Sequence, residues 1–212
     1  MRFTGDVDSR LDRRSFLRVA TTAAASMAFA PTALFSAATQ PASQPTTAAK
    51  RPNFIILFVD DLGWGEIGAQ GFAKDIPTPN IDSIAQNGVR FTDGYVTCPV
   101  CSPSRAGLLT GRYQQRYGFE TLVGSNMRDT DNGIPADEPL ISERLKAAGY
   151  ATGMAGKWHV GYADFQQPEA RGFDSTFGSV ARGDDYITDV LGRETVEFIN
   201  EHKDEPFFFY LP

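Results

Sequence analysis

Residues 97–111, TCPVCSPSRAGLLTG, contain the only two cysteines of the chain, Cys98 and Cys101, in a C-x-x-C spacing. Such a pair serves thiol–disulfide exchange, half of a zinc site, or a single nucleophile with a bystander. A zinc site needs more ligands than the two histidines, His159 and His202, readily supply. A redox pair opens a helix in a thioredoxin-like unit, but here Pro103 follows the second cysteine and the patterned residues lie downstream of it. Cys98, beside Pro99, reads as a small buried residue. Cys101 stands just before an expected helix over 104–109, whose free N–H groups and dipole attract oxyanions. Arg105 lies one turn into that helix, where it can reach back to a negative group.

Asp60-Asp61 is the second chemical feature. Adjacent carboxylates repel each other, and a divalent cation removes the cost of ionising both. Hard oxygen donors favour Ca²⁺ or Mg²⁺ over zinc, while the bland reading is a solvated turn. Lys157 and His159 form the third, spaced i, i+2 so that both reach one face of an extended segment. There a lysine neutralises a tetrahedral oxyanion and a histidine donates a proton or a hydrogen bond. Taken singly, they read as a surface lysine and a packed histidine. His202, within NEHKDE, reads as a solvated helix end.

Positioning these residues requires an ordered scaffold. Residues 53–59, NFIILFV, read as a strand buried on both faces, with Asp60-Asp61 at its carboxyl end, where open α/β sheets bind ligands. Helices are expected over 81–87, 140–148 and 187–201, and further strands over 89–96, 150–155 and 207–211. Alternating strands and helices indicate an α/β sandwich with a largely parallel sheet. Asp131-Asn132-Gly133 reads as a turn.

The chain has 212 residues, a net charge of −6 and ordinary globular composition, which argues against a nucleic-acid partner. Its first fifty residues differ, holding six Lys/Arg and three Asp, so the remainder carries 14 Lys/Arg against 23 Asp/Glu. Arg13-Arg14-Ser15-Phe16-Leu17 precedes an Ala-rich apolar stretch with small residues at 28–30 and 36–38. Residues 1–38 therefore read as a twin-arginine export signal, addressing the protein through the twin-arginine translocase to the periplasm or the exterior. Residues 39–50 read as a flexible linker, and 51–212 as the folded domain.

The ordered set of motifs resembles the type I sulfatase family. Cys101-Ser102-Pro103-Ser104-Arg105 with Thr110-Gly111 fits C-x-P-S-R-x-x-x-x-T-G, preceded by Asp60-Asp61 and followed by Gly156-Lys157-Trp158-His159-Val160-Gly161. The resemblance covers residues 51–212 and implies an alkaline-phosphatase-like fold. It implies that a formylglycine-generating enzyme oxidises Cys101, and that the hydrated aldehyde attacks a sulfate ester and is then regenerated. It implies Ca²⁺ held by Asp60, Asp61 and residue 101. Arg105 then steadies the diol and metal end, and Lys157 and His159 bind sulfate and assist the diol. The expected substrate is a sulfated small molecule or polysaccharide. Family members run to about twice this length or more, with a further His, a further Lys and a late Asp-Asn pair. The chain is therefore expected to be the N-terminal part of such an enzyme, with the apolar strand 207–211 left uncovered and with weak turnover by itself. Competing readings are a phosphate or phosphonate ester hydrolase of the same superfamily, a non-catalytic pseudoenzyme, and a thiol–disulfide oxidoreductase using Cys98 and Cys101.

Overall fold

In the computed structural model, residues 50–72, 75–124, 131–178 and 186–212 are described. The expected export signal and nearly all of the expected linker lie outside them. The strand-rich segments are β1 (Phe54–Leu57), β2 (Ala151–Gly156), β3 (Ser175–Gly178) and β4 (Phe207–Leu211). The helices are α1 (Pro79–Asn87), α2 (Cys101–Thr110), α3 (Ile141–Ala147) and α4 (Ile187–Glu201), with single 3₁₀ turns between them. Among the described residues no helix is long and apolar enough to cross a membrane.

The four strands form one parallel sheet in the order β1-β4-β2-β3. The FFFYL sequence of β4 explains its place. A strand apolar at every position has two faces to bury. Phe208 and Tyr210 enter one core with Ala106 and Leu109 of α2, Leu140 at the start of α3, and Phe173. Phe207 and Phe209 enter the other core, against Phe198 of α4. Gly153 of β2 is what lets α4 approach, since a Cβ there would stand 2.6 Å from the Phe198 ring and 2.8 Å from Phe209. The helix–sheet–helix sandwich expected from the alternation is present.

Several expectations are corrected. The 53–59 run is shorter as a strand and is not buried on both faces. Among the described residues it lies at the sheet edge with β4 as its only strand partner, so Phe54, Ile55 and Leu57 are each more than 40% exposed. Residues 207–211 are not an uncovered edge, because β4 pairs on both sides, Phe208 facing Phe54 on one and Thr152 on the other. Residues 89–96 form no strand, and Val89, Phe91 and Tyr95 stand exposed. Asp93-Gly94 interrupts the run, and the Thr92 hydroxyl bonds the Asp93 carboxylate, a local bond that competes with ladder pairing. Helix α2 starts at Cys101, three residues earlier than expected, since Pro103 is tolerated in a first turn where its missing N–H is not needed. Strand β3 had no expected counterpart.

Candidate active site

Two of the three chemical features sit just beyond the carboxyl ends of parallel strands, the standard ligand edge of such sheets, and the third opens a helix. Asp60 and Asp61 follow β1, and Lys157 and His159 follow β2. Cys101 is the first residue of α2, preceded by the N-cap Val100, which offers no side-chain cap. The N–H groups of the first turn are thus left without a capping side chain. Asp60, Asp61 and Cys101 line one cleft of about 360 Å³. Cys98 lines it too, half-buried instead of buried, and both thiols are free.

Arg105 is fully buried. Its Nη1 donates to the Lys157 carbonyl at 2.8 Å and to the Tyr210 hydroxyl at 3.3 Å, and the guanidinium lies 5.4 Å above the Phe58 ring. Its Nη2 stands 3.6 Å from Asp60 Oδ2, and Nη2 and Nε have no hydrogen-bond partner among the described residues. Lys157 Nζ donates to Asp60 Oδ2 at 2.7 Å. That bond holds the Asp60 carboxyl below its ordinary range, against an opposing contribution from burial. Burial pushes the Tyr210 phenol up to about 12, so it stays protonated.

His159 is brought beside this group, though not by strand alternation: its φ of +61° is left-handed. Asp61, at φ +55°, is the other non-glycine residue among those described with a positive φ. Both sparsely populated conformations therefore fall within the site. His159 Nε2 donates to the Val123 carbonyl at 3.2 Å, and Nδ1 is buried without a partner among the described residues. Burial, then the Lys157 charge, lower the pKa of the imidazole, which favours the neutral ring with a free acceptor at Nδ1. His159 thus donates a hydrogen bond at Nε2 and offers an acceptor at Nδ1.

His202 is not solvated as expected. It pairs with Glu205 at 2.8 Å and packs at 4.3 Å on Phe198, far along the chain from the cleft-lining residues. Asp131-Asn132-Gly133 is a bend, as expected, with Asn132 Nδ2 donating to the Leu122 carbonyl. Tyr210 and Val123 hold Arg105 and His159, and sequence reasoning passed over both. The sole hydroxyl in an otherwise apolar FFFYL strand was the available signal for Tyr210.

Asp60 and Asp61 carry two negative charges beside the positive charges of Arg105 and Lys157. The carboxylates are hard donors that suit Ca²⁺ or Mg²⁺, and the Cys101 thiol is not. Among the described residues no group of three or more His, Cys, Asp or Glu stands close enough to hold a metal ion. The cleft therefore offers the type of donor such an ion requires and part of the number.

A family profile described as Sulfatase matches residues 52–212. Arylsulfatase G of Canis lupus familiaris is 44% identical over 147 residues, which is 69% of this chain and 26% of that protein. N-acetylgalactosamine-6-sulfatase of Sus scrofa is 44% identical over 139 residues, 63% of this chain and 26% of its own length. The structure of Ps i-CgsB in complex with k-i-k-neocarrahexaose superposes with a TM-score of 0.68 at 35% identity, over 76% of this chain and 44% of that one. The chain spans about a quarter of the length of these curated relatives.

Proposed function

Because the chain belongs to the sulfatase family, we propose that it carries the nucleophile side of a sulfate-ester hydrolase, with Cys101 converted to formylglycine. One observation carries this reading: Cys101 opens α2 in the same cleft as the Asp60-Asp61 pair, with Arg105 buried one turn behind it. Residues four apart on a helix share a face, so Arg105 lies on the Cys101 side. Nε and Nη2 make no hydrogen bond among the described residues and call for an acceptor, a part a thiol fills poorly and a hydroxyl well.

Asp60, Asp61 and the converted residue 101 would hold Ca²⁺. When bound, the ion supplies Lewis-acid polarisation of the sulfate, and formylglycine supplies a hydrated aldehyde as nucleophile. The chain's own residues do the rest. Arg105 orients a hydroxyl at residue 101, Lys157 presents an ammonium to the sulfate oxygens, and His159 takes up a proton at Nδ1. Asp60 positions both cations, being within 3.6 Å of each.

The N-acetylgalactosamine-6-sulfatase relative and the neocarrahexaose complex support a sulfated carbohydrate as substrate, with a small aryl sulfate as its surrogate. The test is to express the protein with a formylglycine-generating enzyme, then measure the mass of the peptide bearing residue 101 and compare an aryl sulfate with the corresponding aryl phosphate and aryl phosphonate monoester as substrates. An aldehyde at residue 101 and faster sulfate turnover are expected. An intact thiol after coexpression would favour a non-catalytic role, and faster phosphate or phosphonate turnover the related ester hydrolase.

The same proposal includes export to the periplasm or exterior, supported by Arg13-Arg14 ahead of an Ala-rich apolar stretch. Changing both arginines to lysine should leave unprocessed precursor in the cytoplasm. Undiminished export of that variant would remove the twin-arginine translocase as a partner.

A further inference from the structure

We infer that Tyr210 is a positioning residue for Arg105. The inference rests on the proposed role of Arg105 at residue 101. An arginine side chain has many rotamers, and a guanidinium is useful only when its plane is fixed. Four contacts hold this one: the Lys157 carbonyl, the Tyr210 hydroxyl, the Phe58 ring and, at 3.6 Å, the Asp60 carboxylate. The carbonyl and the hydroxyl both take Nη1. They grip one corner of the plane, which leaves Nη2 toward Asp60 and Nε without a partner. Phe58 supports the flat face and does not set rotation within the plane.

Tyr210 is suited to the task by its place in the fold. It belongs to β4, which is paired on both sides, and the residue is fully buried. The flanking Phe208 occupies the same face two residues earlier and has no hydroxyl. Packing alone would therefore be served by phenylalanine, and the hydroxyl at 210 does something packing does not require. Without it Nη1 retains a single acceptor, and the guanidinium turns faster about its partly double Cζ–Nε bond.

The test uses Tyr210→Phe in the full chain coexpressed with a formylglycine-generating enzyme. Nitrogen-15 spectra of the arginine side chains, with Arg105 assigned by its loss in Arg105→Lys, should show two resolved Nη signals in the parent and one averaged signal in Tyr210→Phe. This readout does not depend on turnover. For aryl sulfate, kcat should fall roughly tenfold, the scale of a lost hydrogen bond to a charged group, with KM unchanged. On the Arg105→Lys background the same change should cost almost nothing. Resolved Nη signals in both proteins overturn the inference. So does an equal loss of kcat on both backgrounds, which would mean that Tyr210 acts without Arg105. Absence of Cys101-dependent turnover in the parent would count against the sulfatase reading, and the arginine spectra would still decide whether Tyr210 holds Arg105.

Discussion

Replacing Cys101 by Ala is expected to reduce aryl sulfate turnover by several orders of magnitude, with KM little changed. Loss of the nucleophile in well-measured hydrolases costs about 10⁶ in kcat, and the residue proposed here is both nucleophile and ion ligand. The fold should survive. Cys101 is half-buried in the first turn of α2, and alanine is a good helix former that adds no volume. Matching melting temperatures for parent and variant, measured beside kcat, separate chemistry from stability. Cys98→Ala is the control. It lines the same cleft, so thiol–disulfide exchange requires both cysteines and formylglycine chemistry requires one. Equal losses for the two variants would sink the sulfatase mechanism, and an inert Cys98→Ala variant would dispose of the exchange reading.

Arg171→Ala should have the largest effect on stability, although the residue touches none of the proposed catalytic groups. Arg171 is 2% exposed. Its Nε donates to Glu143 Oε1 at 2.8 Å, its Nη2 to the Glu138 carbonyl at 2.6 Å, and its Nη1 to the carbonyls of Ile134 and Pro135. Its own carbonyl accepts from Ser142 Oγ at 2.6 Å. One side chain thus ties the 134–138 segment and α3 to the turn entering β3. Truncation leaves several carbonyls and a partly buried carboxylate without their donor. Removing one partner of a buried pair costs about 3–5 kcal/mol, against a total of about 5–15 kcal/mol for an ordinary domain. A urea titration should show the midpoint fall accordingly. Arg171→Lys should recover only part, because an ammonium lacks the planar fork. A loss below about 1 kcal/mol would equal that of an exposed pair and would contradict this reading.

The parts of the site carried by local spacing were legible in the sequence. The C-x-P-S-R signature, the acid pair and the Lys157-x-His159 element could each be picked out because each depends on a few consecutive residues, and the structure brings Cys101 into one cleft with the acid pair and Lys157 onto Asp60. What depended on strand order was not legible. An apolar run such as FIIL suits a central or an edge strand equally, and only its partner shows that β1 is the edge. The FFFYL run was read as uncovered and lies in the middle for the same reason. The conformation of His159 was also hidden, since a left-handed residue other than glycine is imposed by its surroundings rather than by its own preference. Nothing in the local sequence around Arg171 marks it out, because the five residues it bonds with in 134–143 lie about thirty positions away in the chain.

The position of β4 between β1 and β2 sets the order of events during synthesis. Asp60 and Lys157, 97 residues apart in sequence, are linked through a strand that leaves the ribosome after both. Until residues 207–211 are made, β1 lacks the strand it pairs with, β2 has β3 alone, and Arg105 lacks Tyr210. The contacts through β4 therefore form only after about a hundred residues beyond Cys101 have been added, an interval on the order of ten seconds at ordinary translation speed.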